Sequence, residues 1–358
     1  MSKIIGCAVV GLGIGQAHAD GIAAAEGGRL VAVCDLLQEK LDKMAMKYPG
    51  VKTYTNFDEL IRDAEVDLIS ICLPSAMHAE YAVRAMQAGK HVLIEKPIDI
   101  TPEAAMQIER VRRETGLKAG VVHQNRYNVD MLPIRQAIEC DHLGRVYLGT
   151  FAVKWYRKQA YYEGCHGTWD MDGGGTLMNQ AVHTVALMQW LLGDVESVTS
   201  QMDIYGHDIE TEDTTASVIR FKNGAMATFV STTCAYPGIS TDIKIYGTNG
   251  SIEADQDVLK VWKIKEFSDD FADMLELDAA DEEEEEEEML ARYGGGNPAY
   301  EVQHPGTLTG HRAVVQDMID AIRYDHDPQI LPLEAIKAVQ IVCAVYESAR
   351  TGKTVRLS

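Results

Sequence analysis

The feature that most constrains this chain is the junction within residues 3–15, where the apolar run KIIGCAVV meets Gly11-Leu12-Gly13-Ile14-Gly15. A buried strand that ends in glycines and turns into a helix lets the backbone approach a pyrophosphate. The free amides and positive dipole end of that helix then face the anion. The spacing departs from strict G-x-G-x-x-G, because Gln16 stands where the third glycine would be. Taken alone, the turn also fits a purely structural role.

The pattern that follows favours a ligand. Ala17 to Ala25 reads as a helix, Leu30 to Cys34 as a second strand, Leu36 to Tyr48 as a helix, Val51–Tyr54 as a short strand and Phe57–Arg62 as a short helix. Val66–Leu73 is a continuous apolar run, as expected of a parallel strand covered on both faces. His78–Ala88 reads as a helix closed by Gly89, and His91–Ile94 as a strand. Thr101-Pro102-Glu103 opens another helix with threonine as N-cap and proline at its first position, and Lys118–His123 is the last strand. This alternation predicts a doubly wound parallel sheet over 1–125, with a nucleotide site at its carboxyl edge.

From about Phe151 the pattern changes. Ser217–Phe221 and Ala225–Thr232 alternate apolar and polar residues, with turns at Asn223-Gly224 and Thr248-Asn249-Gly250. The spacing predicts a long helix over Thr176–Leu192 and two late helices, about His311–Tyr324 and Leu333–Thr351. The fold class is therefore α/β: a doubly wound domain, then an α+β domain over 126–358 with a large, mainly antiparallel sheet.

Two domains also suit 358 residues, more than one ordinary core accommodates. No apolar run approaches the roughly 18–20 residues of a membrane span. Ile4–Val10 is too short for a signal peptide and lacks a basic leader, so the reading is a cytoplasmic protein with no membrane partner. The seven cysteines show neither zinc-ligand nor CxxC spacing, so neither a metal nor structural disulfides are expected. The net charge of −21 is unevenly placed: 13 acidic residues and no basic ones fall between Asp269 and Glu288, leaving −8 for the rest. An acidic enzyme with one solvated acidic loop accounts for this, and nucleic-acid binding, which needs a basic face, is excluded.

Three clusters carry chemistry. Asp35 ends the second strand 20–24 residues after the glycines, where a carboxylate can bind both ribose hydroxyls and repel a 2′-phosphate. Leu36 and Leu37 follow, with no arginine to receive that phosphate, so NAD is expected over NADP. A helix N-cap role is the alternative for Asp35. Glu95-Lys96-Pro97 directly follows a strand. A lysine there can hydrogen-bond a substrate hydroxyl and favour alkoxide development, although surface lysines after strands are also common. Pro97 is a candidate cis proline. In Asp172-Gly173-Gly174-Gly175-Thr176-Leu177-Met178-Asn179-Gln180-Ala181-Val182-His183, a triple glycine enters a helix that would place Asn179 and His183 on one face. Histidine can accept a hydroxyl proton as hydride leaves, whereas asparagine can only orient a hydroxyl; His183 alone also fits a satisfied buried histidine.

Together these clusters resemble the Gfo/Idh/MocA oxidoreductase family over essentially the whole chain. The resemblance is carried by V-V-G-L-G-I-G-Q-A-H at 9–18, I-C-L-P-S-A-M-H at 71–78, A-G-K-H-V-L-I-E-K-P at 88–97, H-Q-N-R-Y at 123–127, the glycine–histidine segment at 172–183 and Y-E-S-A-R-T-G-K at 346–353. It implies an N-terminal Rossmann domain, and a C-terminal domain whose open sheet forms a homodimer or homotetramer interface. It also implies hydride exchange between a nicotinamide and a sugar or cyclitol carbon. Carried over to this sequence, the catalytic residues are Lys96 and His183, converging on one substrate oxygen. The implied cofactor set is Gly11, Gly13, Ile14, Gly15, Asp35, Leu73, Pro74, Ser75, His78, Glu95, Lys96 and Gln124. The implied substrate set is Asn179, Arg126, Tyr156, Arg157, Trp169 and Asp172. Many members carry aspartate where this chain has Asn179, which leaves the proton to Lys96 and His183. Gly167-Thr168-Trp169, Tyr156-Arg157 and Tyr161-Tyr162 look most like the branch of nucleotide-sugar uronic acid 3-dehydrogenases. A non-catalytic NAD-binding sensor or scaffold, or a dihydrodiol-type reductase of the same fold, is the alternative.

Overall fold

The computed structural model describes residues 3–128, 130–256, 258–265 and 310–357; the acidic tract at 269–288 lies outside them. The first half runs β1 (Ile5–Val10), α1 (Gly15–Ala24), β2 (Gly28–Cys34), α2 (Gln38–Lys47), β3 (Lys52–Tyr54), α3 (Phe57–Leu60), β4 (Leu68–Ile71), α4 (His78–Gln87), β5 (His91–Ile94), α5 (Pro102–Thr115) and β6 (Ala119–Val121). Then come α6 (Met131–Glu139), β7 (Val146–Lys154), α7 (Val182–Leu192), β8 (Val195–Asp203), β9 (Thr214–Phe221), β10 (Met226–Thr232), β11 (Ser240–Gly247), β12 (Gly250–Asp255) and β13 (Val258–Ile264). Helices α8 (Gly310–Arg323) and α9 (Pro332–Thr351) and strand β14 (Val355–Arg356) close the chain.

The described residues divide into two compact units. One holds 3–124, 168–173 and 310–340; the other holds 125–167, 174–265 and 341–357. The division after residue 124 agrees with the expected boundary near 125, and two later segments, 168–173 and 310–340, return to the first unit. Local patterning cannot show such a return, which depends on packing across hundreds of residues. Helix α8, for example, packs on α1 so closely that a Cβ on Gly21 would lie 3.3 Å from Val315.

In the first unit six parallel strands take the order β3-β2-β1-β4-β5-β6, the doubly wound arrangement. Strands β1 and β4 are buried at every residue, which is why they read as unbroken apolar runs. Strand order reverses between β1 and β4, so the loops after them meet at the switch point where such sheets bind ligands. Helix α5 starts as its sequence dictates: Thr101 caps the Ala104 amide and Pro102 occupies the first helical position.

The second unit is built on an eight-stranded sheet, β13-β12-β11-β7-β10-β9-β8-β14, antiparallel except for the β7–β10 pair. Its alternation follows the sequence: Thr215, Ser217, Ile219 and Phe221 of β9 point inward while Ala216, Val218 and Arg220 are exposed. Phe151 and Phe229 lie opposite each other on β7 and β10, fully buried, and each is worth roughly 1.5–3 kcal/mol of burial. Helix α7, apolar on nearly every side, covers this inner face against β7.

The expected single helix over Thr176–Leu192 is corrected. Thr176–Gln180 form a π turn, closed by the Ala181 amide donating to the Thr176 carbonyl at 2.9 Å, and α7 begins only at Val182. Asn179 and His183 therefore sit on two differently wound segments and do not share one continuous helix face. No helix of the described residues is long and apolar enough to cross a membrane.

Candidate functional site

In the first unit the glycines of the turn after β1 have different reasons to be there. Gly11 has φ +84°, and a Cβ on it would lie 2.2 Å from the Cys72 carbonyl oxygen; a Cβ on Gly15 would lie 2.7 Å from Val9. Packing of the β1 loop against the β4 loop demands both. Gly13 has nothing within 4 Å of its would-be Cβ. The fold itself does not require a glycine there, and the space is that of a ligand cradle. Gln16, at the position of the motif's third glycine, is exposed and donates its side-chain amide to the Leu12 carbonyl, so the close helix–strand approach falls at Gly15 instead. Ile14 is half exposed at the start of α1, whose first turn has no side-chain cap and no acidic residue; its amide end is open to an anion.

Asp35 closes the same turn. Its carboxylate accepts from the Leu12 amide at 2.8 Å and the Leu37 amide at 2.9 Å, and Lys40 approaches it at 3.4 Å. Its first task is to tie the glycine turn to the end of β2. Lys40 is a cation that reading only Leu36 and Leu37 missed; it lies one turn into α2.

The loop after β4 carries Leu73, Pro74 and Ser75, and Ser75 is buried. His78 follows, fully buried, with Nδ1 2.7 Å from the Pro97 carbonyl and Nε2 2.7 Å from the Leu73 carbonyl. Both ring nitrogens are thus committed to the protein. His78, expected among cofactor contacts, braces the Leu73 loop against the Glu95-Lys96-Pro97 turn. Burial draws this imidazole below the usual histidine range, against the pull of the two carbonyls.

The Lys96–Pro97 bond is cis. Glu95, also expected at the cofactor, is buried: one oxygen meets His18 Nε2 at 2.9 Å and His311 Nε2 at 3.2 Å, and the other accepts from the Lys96 amide at 3.0 Å. Burial alone would raise this carboxyl, but the two imidazoles outweigh it and hold the group well below the usual range. No spacing pattern in the sequence marks the His18–Glu95–His311 cluster. Burial draws the Lys96 ammonium below the ordinary lysine range, and the carboxylates of Glu95 and Asp172 offset part of that. Asp172, expected to touch substrate, belongs to this unit and acts on the lysine's charge. Trp169 lies in the same segment, half-buried. Gln124 follows β6, and its side-chain carbonyl oxygen is buried with no hydrogen-bond partner among the described residues. Such an orphaned acceptor costs about 1–3 kcal/mol unless a ligand donor meets it. Gly13, the uncapped amides of α1 and Gln124 therefore fit a dinucleotide.

In the second unit a polar network gathers on the π turn. Arg157 donates to the Gln180 side-chain oxygen at 2.7 Å, and Gln180 donates to Tyr161 and Asn179. The Tyr161 hydroxyl donates to the Asn179 oxygen at 2.9 Å, and the Asn179 amide nitrogen lies 3.2 Å from His166 Nδ1. The rings of Tyr161 and His166 stack at 4.7 Å, and the Arg157 guanidinium lies 5.1 Å from the Trp155 ring. Arg157 and Asn179 thus come together with Tyr161, which the sequence had singled out, through Gln180 and His166, which it had not. Arg126 lies over Trp190 at 5.5 Å, and Tyr156 meets Tyr236 edge-on at 5.1 Å. His183 is half-buried in the first turn of α7.

Family models account for both halves. Residues 5–123 match the oxidoreductase family with an NAD-binding Rossmann fold, and residues 131–253 match the GFO/IDH/MocA C-terminal domain. The chain belongs to the Gfo/Idh/MocA oxidoreductase family. This Gfo/Idh/MocA protein is similar to the WlbA dehydrogenase from Bordetella pertussis, solved in complex with NADH and UDP-GlcNAcA, with a TM-score of 0.86 and 28% identity over 99% of this chain and 98% of that one. It is 25% identical to the myo-inositol 2-dehydrogenase of Thermotoga maritima, over 69% of this chain and 74% of that protein. It is 22% identical to the scyllo-inositol 2-dehydrogenase (NADP(+)) IolW of Bacillus subtilis, over 91% and 88%. As a Gfo/Idh/MocA member it is an NAD(P)-dependent oxidoreductase with a Rossmann domain for the cofactor.

Proposed function

We propose that this protein oxidises a secondary hydroxyl of a sugar, sugar derivative or cyclitol with NAD. The observation that carries the reading is Lys96: a lysine at the carboxyl end of β5, drawn down by burial and braced by Glu95, in a unit whose glycine turn fits a dinucleotide. The sugar- and inositol-linked relatives support the substrate class. Bound NAD supplies the hydride acceptor. Lys96 hydrogen-bonds the substrate oxygen, and its charge favours the alkoxide. His183 takes the hydroxyl proton as general base. As the carbinol C–H leaves as hydride and the O–H as proton, the carbon becomes a carbonyl. The Arg157–Gln180–Asn179–Tyr161 network holds the ring, and Arg157 suits a substrate carboxylate or phosphate. The purified protein mixed with NAD and a panel of UDP-linked uronic acids, glycosides and inositols should give NADH absorbance with at least one. Silence across the panel at every pH, with NAD bound, would favour a sensor or scaffold.

Cofactor preference follows from Asp35, whose carboxylate receives ribose hydroxyls and repels a 2′-phosphate. We expect kcat/KM with NAD to exceed that with NADP by at least about tenfold, or 1.4 kcal/mol. Asp35→Ser should narrow the gap, with Lys40 then free to meet the phosphate. Equal efficiencies in the wild type would remove the preference. The open face of the second sheet, where Val218 is 57% and Met226 46% exposed, supports a homodimer or homotetramer built on it; sedimentation showing only monomer would end that assignment. Cys7, Cys34 and Cys72, buried as small apolar thiols, support residence in the reducing cytoplasm, which fractionation of the source cells would check.

A further inference from the structure

The start of a helix leaves four amides without intrahelical partners. At the π turn all four are met by two residues distant in sequence, three through side chains and one through a backbone carbonyl. The Gly175 amide donates to one carboxylate oxygen of Glu212 at 2.9 Å, and the Leu177 amide to the other at 2.8 Å. The Thr176 amide donates to the Glu212 backbone carbonyl at 3.0 Å. The Met178 amide donates at 3.2 Å to the Tyr346 hydroxyl, which itself donates to Glu212 at 3.1 Å. The fit is close: a Cβ on Gly175 would lie 1.8 Å from the Glu212 carbonyl oxygen, so only glycine allows the approach. Glu212 and Tyr346 are both almost fully buried.

We propose that Glu212 is a positioning residue for the reaction, its ionised carboxylate building and holding the turn that carries Asn179 and leads into the helix of His183. The inference rests on the roles given above to Asn179 and His183. A carboxylate suits its three converging donors, the Gly175 and Leu177 amides and the Tyr346 hydroxyl, because it only accepts. Once protonated it carries an O–H into that cluster, so either a donor bond from the turn is lost or the Tyr346 hydroxyl must turn from donor to acceptor and the network rearranges. Burial pushes this carboxyl up to about 7, against the pull of its backbone and tyrosine hydrogen bonds, so that exchange falls within the working range of an enzyme. The groups facing it are Tyr346 from α9, itself near Cys343 and with Arg350 5.8 Å from its ring, and Tyr162, beside Asp213, from the segment after β7.

The linkage has a definite sign. Because the folded carboxyl binds its proton more tightly than the ordinary group at 4.5, stability contributed at low pH is lost as pH rises from about 4.5 to about 7. Activity runs the other way, falling on the acid side as the turn loosens.

The test compares wild type, Glu212→Gln and Tyr346→Phe. In Glu212→Gln an amide NH2 faces an N–H donor. We expect kcat to fall on the order of 10- to 100-fold with NAD affinity unchanged, and the acid limb of the kcat profile near pH 7 to disappear. Tyr346→Phe removes a donor to the carboxylate, so the same limb should move to higher pH. Amide exchange at Gly175, Leu177 and Met178 should quicken more than tenfold in Glu212→Gln while β9 and β10 stay protected. An unchanged acid limb in both variants would assign it to His183 and overturn the proposal, as would wild-type exchange at those amides. If wild type turns over no sugar the functional reading fails, and the exchange data still decide whether Glu212 holds the turn. Should Glu212→Gln not fold, the direction of the Tyr346→Phe shift decides alone.

Discussion

Replacing Lys96 by methionine is expected to leave a folded protein whose kcat is lower by about three orders of magnitude or more. The side chain keeps its length and apolar stem. Losing the charge removes its burial cost and also its attraction to Glu95 and Asp172, so thermal melts run beside the kinetics to confirm a folded variant. What goes is the donor and positive charge at the substrate oxygen. Lys96→Arg should not rescue, since a guanidinium is larger and does not reproduce the ammonium's point charge. His183→Ala should cost about 10²–10⁴-fold as a lost general base. If the two act on one proton transfer their effects are not additive, and the double variant should be little worse than the poorer single one. Steady-state kinetics on the four proteins measures this. Multiplicative losses would mean two separate steps, and near-wild-type rates in both single variants would end the catalytic assignment.

The second large effect separates two glycines of one turn. Gly11→Ala should cost roughly 2–4 kcal/mol, from a positive φ and a Cβ forced against the Cys72 carbonyl, and should show as a lower melting temperature. Gly13→Val should change stability by no more than about 0.5 kcal/mol, because among the described residues nothing beyond its chain neighbours lies within 4 Å of an added Cβ. It should nonetheless weaken NAD binding by at least about tenfold by filling the cradle. Calorimetric titration and thermal melts distinguish the two. A Gly13→Val protein that bound NAD like wild type would move the cofactor away from this turn.

Where the determinants were local, the sequence was readable. The β1 glycine turn, the buried runs of β4 and β5, the Thr101-Pro102 cap and the alternation of β9 are each set by residues within a few positions of the feature. What escaped was decided from afar. Thr176–Leu192 keeps apolar spacing throughout, so nothing local distinguishes a π turn from an α turn; Glu212, 35 residues beyond Leu177, makes the choice. Glu95 meets His311, 216 residues away, and His78 meets the Pro97 carbonyl, so both also brace the lysine turn, a role no local pattern displays. Asn179 and Tyr161 were singled out in the sequence, but their contact and the part played by His166 depend on a preceding segment with no periodic signal.

The most direct test uses a substrate from the panel deuterated at its carbinol carbon. In a single turnover with NAD, the label should arrive on the nicotinamide ring of the NADH, with a primary isotope effect on the burst. Deuterium that stayed in the sugar or washed into water while product formed would contradict hydride transfer, and with it the function proposed for Lys96 and His183.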